Sequence, residues 1–286
     1  MVWAAWLPPR GSLLPPRESL TTVPGMSETS ELRYELADGI ARLTIDRPER
    51  RNALSWAVLT EMRSRVAEIK ADPEARVVVL AGAGDKAFCA GADLGGMADG
   101  ASYVDLHDSR GELAALFTDL WDLGKPTIAR VQGYALAGGM GLALACDLVV
   151  ASDDAVFGLP EIDVGLWPFM ITVPLTRSMP PKKALELMMT GRRVGAAEGE
   201  RIGFVTQVVG LDELDDAVDQ LATTLASKSP AVLRLGRQSF YDVLDRSASD
   251  ALPLLHALLT VTTGTEDSVE GIAAFAEKRL PVWRGR

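Results

Sequence analysis

The sequence predicts an α/β core followed by a C-terminal region that is mostly helical. Short apolar runs rich in β-branched residues alternate with helical patterns early in the chain, as at 77–80 and 127–131. From about residue 181 onward, helical patterns predominate. The chain has 286 residues, of which 48% are hydrophobic, so it is long enough to bury a substantial core. Strands interleaved with helices, then helices without strands, indicate an α/β domain with a helical extension.

The strands are predicted from apolar runs and turn signals. Residues 34–36 and 40–45 alternate around the dipeptide Asp38-Gly39, which is typical of a two-residue hairpin turn. Further apolar runs predict strands at 77–80, 127–131, 148–151 and 156–157.

The helices are predicted where apolar residues recur three and four positions apart. The apolar residues of 59–69 show this spacing, and it returns over 109–123. Residues 139–146 are almost wholly apolar, which predicts a short buried helix. The C-terminal helices are expected at 181–189, 196–202, 213–227, 230–245, 248–263 and 266–279.

Composition excludes several classes of protein. The net charge of -10 repels nucleic acid and anionic membranes, so neither is expected as a partner. No apolar stretch approaches the roughly 18 residues of a membrane-spanning helix. The chain has only two cysteines, Cys89 and Cys146, which is too few for a disulfide framework. Its only two histidines are His107 and His256, which argues against a histidine metal site or a Ser-His-Asp triad. We therefore expect a cytoplasmic protein without a metal.

The first 25 residues differ in character from the remainder. Segment 1–25 is rich in proline, and it lacks the continuous apolar stretch of roughly 7–15 residues that a signal peptide needs. We expect a disordered tail here and hypothesise that Met26 is the true start. Residues 26–210 are then expected to form the core, and 211–286 the C-terminal helical region.

Two segments rich in small residues follow predicted strands. Residues 88–94 read FCAGADL, and residues 133–141 read GYALAGGMG between a strand and a helix. Unpaired N–H groups at a helix N-terminus, at the positive end of the helix dipole, can hold negative charge. Taken alone, the first segment is more typical of an ordinary tight loop, and the second of close helix–sheet packing, than either is of a binding site. No Gly-Lys-Ser/Thr follows, so neither is a Walker-type phosphate loop.

Together with two further segments, these stretches resemble the crotonase superfamily of enoyl-CoA hydratases and isomerases. The first segment is DRPERRNAL at 46–54, and the second is KAFCAGADL at 86–94. The third runs from KPTIA at 125 to Cys-Asp at 146–147, and the fourth is FGLPE at 157–161. The resemblance covers nearly all of 33–280. It implies a spiral of ββα units, an acyl-CoA thioester substrate, no other cofactor, and a homotrimer or dimer of trimers.

The resemblance also implies site residues. The oxyanion hole of the family falls on the backbone N–H groups of Ala92 and Gly138, which would hold the thioester oxygen as it becomes an enolate. Each such donor is worth about 3–4 kcal/mol in a transition state. Lys86 and Lys278 are also typical of ordinary surface lysines, and a lysine often found after the second segment is Gly95 here. The positions implied to contact the substrate are Lys86, Ala90, Asp93, Leu94, Phe275 and Lys278.

The departure from the family concerns its carboxylates. Family hydratases place two glutamates around one water molecule, and only the second is present here, as Glu161. The first is replaced by Gly141, three residues after the oxyanion glycine. One carboxylate can still carry a proton from one carbon to another, as the family's isomerases do. Glu161 also has the alternative interpretation of a buried structural carboxylate.

Other residues near these positions have two interpretations each. Trp167 and the bulky residues of 167–170 replace a glycine-rich stretch, which indicates either a reshaped acyl pocket or core packing. Asp163 lies two residues from Glu161, so on a strand it would share that face. Candidate substitutes for the missing carboxylate, each also typical of a solvated residue, are Asp163, His107, Asp108 and Glu112.

Three functions therefore remain open from the sequence. The first is an enoyl-CoA hydratase that combines Glu161 with a non-standard partner. The second is an isomerase with Glu161 as its sole proton carrier. The third is a catalytically inactive protein that binds acyl-CoA.

Overall fold

The structure is a computed structural model that describes residues 30–93 and 102–286. The predicted tail at 1–25, the proposed start Met26, and Leu94 all lie outside these ranges. Residues 31–286 form one compact unit, in which the helical C-terminal region follows the strands.

Strands and helices alternate until the end of the last strand. Within the described ranges the strands are β1 Leu32–Ala37, β2 Ile40–Ile45, β3 Val77–Gly82, β4 Ala87–Cys89, β5 Thr127–Val131, β6 Tyr134–Leu136, β7 Leu148–Ser152, β8 Val156–Gly158, β9 Val194–Gly195 and β10 Gln207–Val209. The helices are α1 Trp56–Ala71, α2 Tyr103–Trp121, α3 Gly138–Ala145, α4 Thr172–Ser178, α5 Pro181–Thr190, α6 Ala196–Ile202, α7 Leu214–Ala226, α8 Pro230–Val243, α9 Ala248–Thr263 and α10 Glu266–Glu277.

Two sheets share the strands. The larger has the order β1-β2-β3-β5-β7-β10, and the smaller has the order β4-β6-β8-β9. The β1–β2 hairpin is antiparallel and turns at Asp38-Gly39, as predicted, with both residues at positive φ. The neighbours from β2 to β10 in the larger sheet are parallel, as are β4, β6 and β8 in the smaller. In each of the pairs β3/β4, β5/β6 and β7/β8, the first strand lies in the larger sheet and the second in the smaller. This alternation forms the predicted spiral of ββα units.

The core is made by the faces that the helical periodicity predicts. Helix α1 begins after Ser55, whose side chain accepts from the backbone N–H of Val58 at 3.2 Å. Its buried residues are those of the predicted stripe between Leu59 and Ile69, joined by Val58. Every residue of α3 is buried, as its apolar sequence predicts. The N-terminus of α3 therefore lies within the core.

Several elements differ from the sequence expectation. Strands β4 and β6 lie in segments that were expected to be loops and turns, because each has only three residues and pairs with a partner distant in sequence. Helix α2 begins at Tyr103 rather than at 109, where Ser102 and Asp105 form a capping box. Helix α4 was not predicted.

Helix α8 is attached to the core through a buried ion pair between Arg237 and Asp147. Arg237 of α8 donates from Nε to Asp147 at 2.7 Å, and its other nitrogens donate to the carbonyls of Trp121 and Leu120 at 2.6 and 2.7 Å. Asp147 also accepts from the Tyr241 hydroxyl at 2.6 Å. The side chains of Arg237 and Asp147 are only 8% and 17% exposed. This network joins α8 to the ends of α2 and α3.

We expect Asp147→Ala to lower the free energy of unfolding by about 3–5 kcal/mol, because it leaves the Arg237 guanidinium buried without a counter-charge. The control is Asp219→Ala, which removes an ion pair with Arg42 whose aspartate is 55% exposed. That change should cost no more than about 1 kcal/mol. Urea denaturation at matched protein concentration measures both values. Equal losses would contradict the anchoring role of Asp147.

Candidate active site

Three turns leave the same end of three adjacent parallel strands. They follow β4, β6 and β8, and they carry Ala92, Gly138 and Glu161 respectively. The register of β6 and β8 pairs Leu136 with Gly158, and the N–H of Ala137 donates to the Gly158 carbonyl at 2.9 Å. The carboxyl ends of parallel strands are a common place for ligand sites. The fold thus brings the three predicted catalytic positions to one edge of the smaller sheet.

The N–H group of Ala92 is directed away from its neighbouring chain segment. The N–H of Leu54 donates to the Gly91 carbonyl at 2.8 Å, and the N–H of Asp93 donates to the Leu54 carbonyl at 3.0 Å. In this parallel bridge Leu54 faces Ala92, so the amide of Ala92 itself points to the opposite side. Within the described ranges this N–H has no acceptor. Ala92 is exposed, so a ligand can reach it.

The N–H group of Gly138 lies at the N-terminus of α3. The preceding residue, Ala137, has φ 51° and ψ -129°, a conformation that costs a residue with a Cβ about 1–3 kcal/mol. This turn leaves the Gly138 N–H without an acceptor in the described part of the chain. A Cβ built on Gly138 would lie 3.9 Å from the nitrogen of Ala92. The two unpaired N–H groups are therefore neighbours.

Close packing of the two turns requires glycine. Gly91 has φ +99°, and a Cβ built there would lie 2.7 Å from the Cβ of Ala137. A Cβ built on Gly139 would lie 2.1 Å from the carbonyl oxygen of Cys89. Two adjacent N–H donors on such closely packed backbone have the arrangement that an oxyanion hole requires, and their contact with a substrate oxygen stays a prediction.

Asn52 holds the backbone below these turns. It is fully buried, and its side-chain amide donates to the carbonyls of Ala83 and Ala87 at 2.9 and 2.7 Å. Its Oδ1 accepts from the backbone N–H of Arg47 at 3.1 Å. The motif at 46–54 was quoted from the sequence without a role for Asn52. The structure shows that it ties this segment to the end of β3 and the start of β4.

Glu161 lies in the short 3-10 helix Pro160–Val164 that follows β8. Its side chain is half-buried, and its Oε2 is buried without a hydrogen-bond partner within the described residues. Burial raises the pKa of this carboxyl above its usual range. Buried structural carboxylates are normally hydrogen-bonded, so this environment favours a proton-transfer role.

Apolar side chains fill the space beside Gly141. A Cβ built on Gly141 would lie 3.0 Å from Cζ of Phe117 and 3.1 Å from both Cγ atoms of Ile171. Phe117 and Ile171 are only 2% and 4% exposed. Neither was singled out from the sequence as a site residue, because Phe117 fitted an ordinary helix face and Ile171 preceded an unpredicted helix. The position of the family's first glutamate is therefore closed by hydrocarbon.

The candidate substitutes for that glutamate lie elsewhere. The expectation that Asp163 shares a strand face with Glu161 is wrong, because both lie in a 3-10 helix, where residues two apart diverge. The Asp163 carboxylate lies beside Gly191, where a built Cβ would be 3.1 Å from Oδ2. Glu112 forms an ion pair with Arg63 at 2.9 Å. The remaining two candidates are both exposed on α2: His107 and Asp108.

The other predicted contact positions are accessible to different degrees. Asp93 forms an ion pair with Arg47 at 2.9 Å, and Ala90 is half-buried. Trp167 packs partly buried against the core, whereas the neighbouring Phe169 is 76% exposed, so core packing explains only the first. Contact of these residues with substrate stays a prediction, as it does for the exposed Lys86, Phe275 and Lys278.

Known proteins resemble this chain over most of its length. The family described as Enoyl-CoA hydratase/isomerase matches residues 35–286. A Mycobacterium tuberculosis protein named "Probable enoyl-CoA hydratase echA8" is 39% identical over 85% of this chain and 94% of its own. Carnitinyl-CoA dehydratase of Escherichia coli is 38% identical over 91% and 100%. The crystal structure of an enoyl-CoA hydratase from Mycobacterium smegmatis superposes with a TM-score of 0.86 at 33% identity, over 89% and 99%.

We expect Gly141→Ala to lower the free energy of unfolding by about 1 kcal/mol or more, because the new methyl group overlaps two buried side chains. The matched control is Gly236→Ala in α8, where a built Cβ meets nothing within 4 Å. That change should raise stability by about 0.5–1 kcal/mol through helix propensity. Urea denaturation compares the variants. A stabilised Gly141→Ala would show that Phe117 and Ile171 yield to the methyl group and do not close this position firmly.

Proposed function

Because the chain belongs to the enoyl-CoA hydratase/isomerase family, we propose that it is an acyl-CoA isomerase that works with a single carboxylate. Its substrate is a β,γ-unsaturated acyl-CoA, and its product has the double bond in conjugation with the thioester. The observation that carries this choice over hydration is the apolar wall of Phe117 and Ile171 beside Gly141.

The proposed reaction needs two steps and one base. Glu161 takes a proton from the α-carbon, and the electron pair passes toward the thioester oxygen to give a dienolate. The N–H groups of Ala92 and Gly138 stabilise the negative charge on that oxygen. The dienolate then takes the proton back from Glu161 at its γ-carbon. The double bond finishes between the α- and β-carbons, and no water is consumed.

The surroundings of Glu161 suit a carboxylate that both accepts and returns a proton. Because burial raises the pKa of Glu161, its carboxylate is a stronger base than that of an ordinary glutamate, and its protonated form persists closer to neutral pH, where it can return the proton. Hydration by the family's usual arrangement needs a second carboxylate to hold the water. Phe117 and Ile171 offer no hydrogen-bonding group to water at that position.

Hydration or dehydration is the second candidate, and the relatives favour it. Two of the similar proteins carry the names hydratase and dehydratase, and they align over most of this chain. In that case Glu161 alone would activate the water. An inactive acyl-CoA-binding protein is the third candidate, since an intact oxyanion site can bind a thioester without turnover.

Assembly and location extend the same proposal. Large apolar side chains are exposed along α9 and α10, and such surfaces commonly mark interfaces between subunits. We therefore propose a homotrimer or a dimer of trimers, in which Phe275 and Lys278 contact coenzyme A across a boundary. The exposed side chains include Leu252, Leu259, Val269, Ile272 and Phe275.

The cytoplasm is the proposed compartment. Cys89 and Cys146 are both free and buried, which suits a reducing environment. Burial raises the pKa of the Cys89 thiol to about 12, so it is protonated and unreactive near neutral pH. In the part of the chain that the structure covers, no helix is both long and apolar enough to cross a membrane.

We expect the purified protein to convert a β,γ-enoyl-CoA into the conjugated isomer, seen as a gain in the absorbance of the conjugated thioester. Incubation with the conjugated enoyl-CoA should give little loss of that absorbance. Faster loss from the conjugated substrate than gain from its isomer would establish hydration instead. Binding of both esters without any change, over a range of chain lengths, would establish the inactive protein.

We expect Glu161→Gln to lower kcat by at least about 10²-fold, because the amide cannot accept the α-proton. The matched control is Asp163→Asn, which changes an exposed carboxylate two residues away and should leave kcat unaltered. In the wild type, kcat/KM should fall as pH decreases through the raised pKa of Glu161, since only the ionised form is a base. That acidic limb should lie above the value of about 4.3 for an ordinary glutamate. An unchanged kcat in Glu161→Gln would remove Glu161 from the mechanism.

A further inference from the structure

Arg47 is a buried arginine that contacts three separate chain segments. Its Nε lies 2.8 Å from Oε1 of Glu31, and its Nη2 lies 2.9 Å from Oδ2 of Asp93. Its Nη1 donates to the carbonyl of Ala53 at 2.6 Å. The side chain is only 9% exposed, and each of its three nitrogens has an acceptor. The guanidinium is therefore held in one place.

The contacts of Arg47 lie on either side of Ala92. One partner, Ala53, precedes Leu54, which forms the parallel bridge with Ala92. The other partner, Asp93, directly follows Ala92. The two backbone hydrogen bonds of that bridge and the two contacts of the guanidinium therefore hold the same pair of segments together. Because these contacts hold the two segments together, they also keep the Ala92 N–H in one direction.

Stability alone does not account for an arginine at this place. Burying a charge costs desolvation free energy, and a well-packed apolar side chain often serves the fold equally well. A planar guanidinium has what an apolar side chain lacks, namely several donors fixed in one plane. Oxyanion donors act efficiently only when they are held within about 0.5 Å of the productive geometry.

We infer that Arg47 is a positioning residue of the oxyanion hole, which fixes the N–H of Ala92 through Asp93 and Ala53. The inference rests on the thioester site of the proposed function, and it is independent of whether the reaction is isomerisation or hydration. Arg47 acts through its neighbours and does not touch the substrate.

The test compares two buried arginines. Arg47→Lys keeps the charge and loses the fork of donors, and Arg47→Gln loses both. The matched control is Arg237→Lys, since Arg237 is about equally buried at 8% exposure and its guanidinium likewise has three acceptors, one carboxylate and two carbonyls. The Arg237 contacts lie on the ends of α2 and α3, remote in sequence from the bridge at Ala92.

Two readouts separate positioning from stability. The first readout is whether a substitution changes kcat or KM, measured with whichever of the two enoyl-CoA substrates is turned over faster. The second is the absorbance of bound para-dimethylaminocinnamoyl-CoA, a conjugated thioester whose band moves to longer wavelength when its carbonyl oxygen is polarised. Circular dichroism establishes which variants are folded, and Arg47→Lys supplies the result where Arg47→Gln does not fold.

We expect Arg47→Lys to lower kcat about 10-fold and Arg47→Gln about 100-fold, up to the effect of losing one oxyanion donor, which is about 10²–10³-fold. KM should change little, and the wavelength shift of the bound thioester should be clearly reduced. Arg237→Lys should keep both the wild-type kcat and the wild-type shift. Equal losses of kcat in Arg47→Lys and Arg237→Lys, or an unchanged shift in the Arg47 variants, would overturn the inference.

A double variant tests the route of the effect. If Arg47 acts through Asp93, then Asp93→Asn alone reduces the shift, and combining it with Arg47→Gln adds little further loss. Fully additive losses would overturn this route. A wild-type protein that turns over neither enoyl-CoA and still shifts the bound chromophore would refute the proposed reaction alone. A wild-type protein that binds the chromophore without any shift would refute the oxyanion site and this inference together.

Discussion

The backbone N–H groups of Ala92 and Gly138 are adjacent and have no acceptor among the described residues, and the proposed function depends on this arrangement. An amide without an acceptor is unfavourable in a folded chain, so both have to be held by contacts made elsewhere. At Ala92 the parallel bridge with Leu54 uses the flanking groups and leaves the central amide free. At Gly138 the strained turn at Ala137 and the helix N-terminus do the same. The strain is stored where the ligand would bind.

The spiral of strands explains why these turns meet. Each ββ step sends one strand to the smaller sheet, and three such strands run parallel and end at the same edge. The turns after β4 and β6 pack so closely that Gly91 and Gly139 leave no room for a side chain. Glu161 leaves the third strand, β8, at the same edge. Strand order thus brings the two predicted oxyanion-hole amides and one carboxylate to the same edge, although they are distant in sequence.

What surrounds the carboxylate is the basis for proposing isomerisation rather than hydration. Oε2 of the half-buried Glu161 has no hydrogen-bond partner within the described residues, and apolar side chains fill the space beside Gly141; both observations support the proposed proton transfer between carbons. The wall consists of Phe117 from α2 and Ile171 from before α4, so two elements outside the spiral strands decide it. In the proposed reaction the N–H pair determines which intermediate is stabilised, and the surrounding side chains determine what becomes of that intermediate.

The sequence by itself determined the α/β core, the helical C-terminal region and the glycine-rich turns, because these depend on local periodicity and on backbone conformations that only glycine tolerates. It also identified Gly141 as the position of a missing carboxylate. Only the tertiary structure decided what fills that position, since Phe117 and Ile171 are brought there by packing between distant elements. The same holds for the place of Asp163, where a 3-10 helix replaced the expected strand. Contacts between segments far apart in the chain have no periodic signal in the sequence.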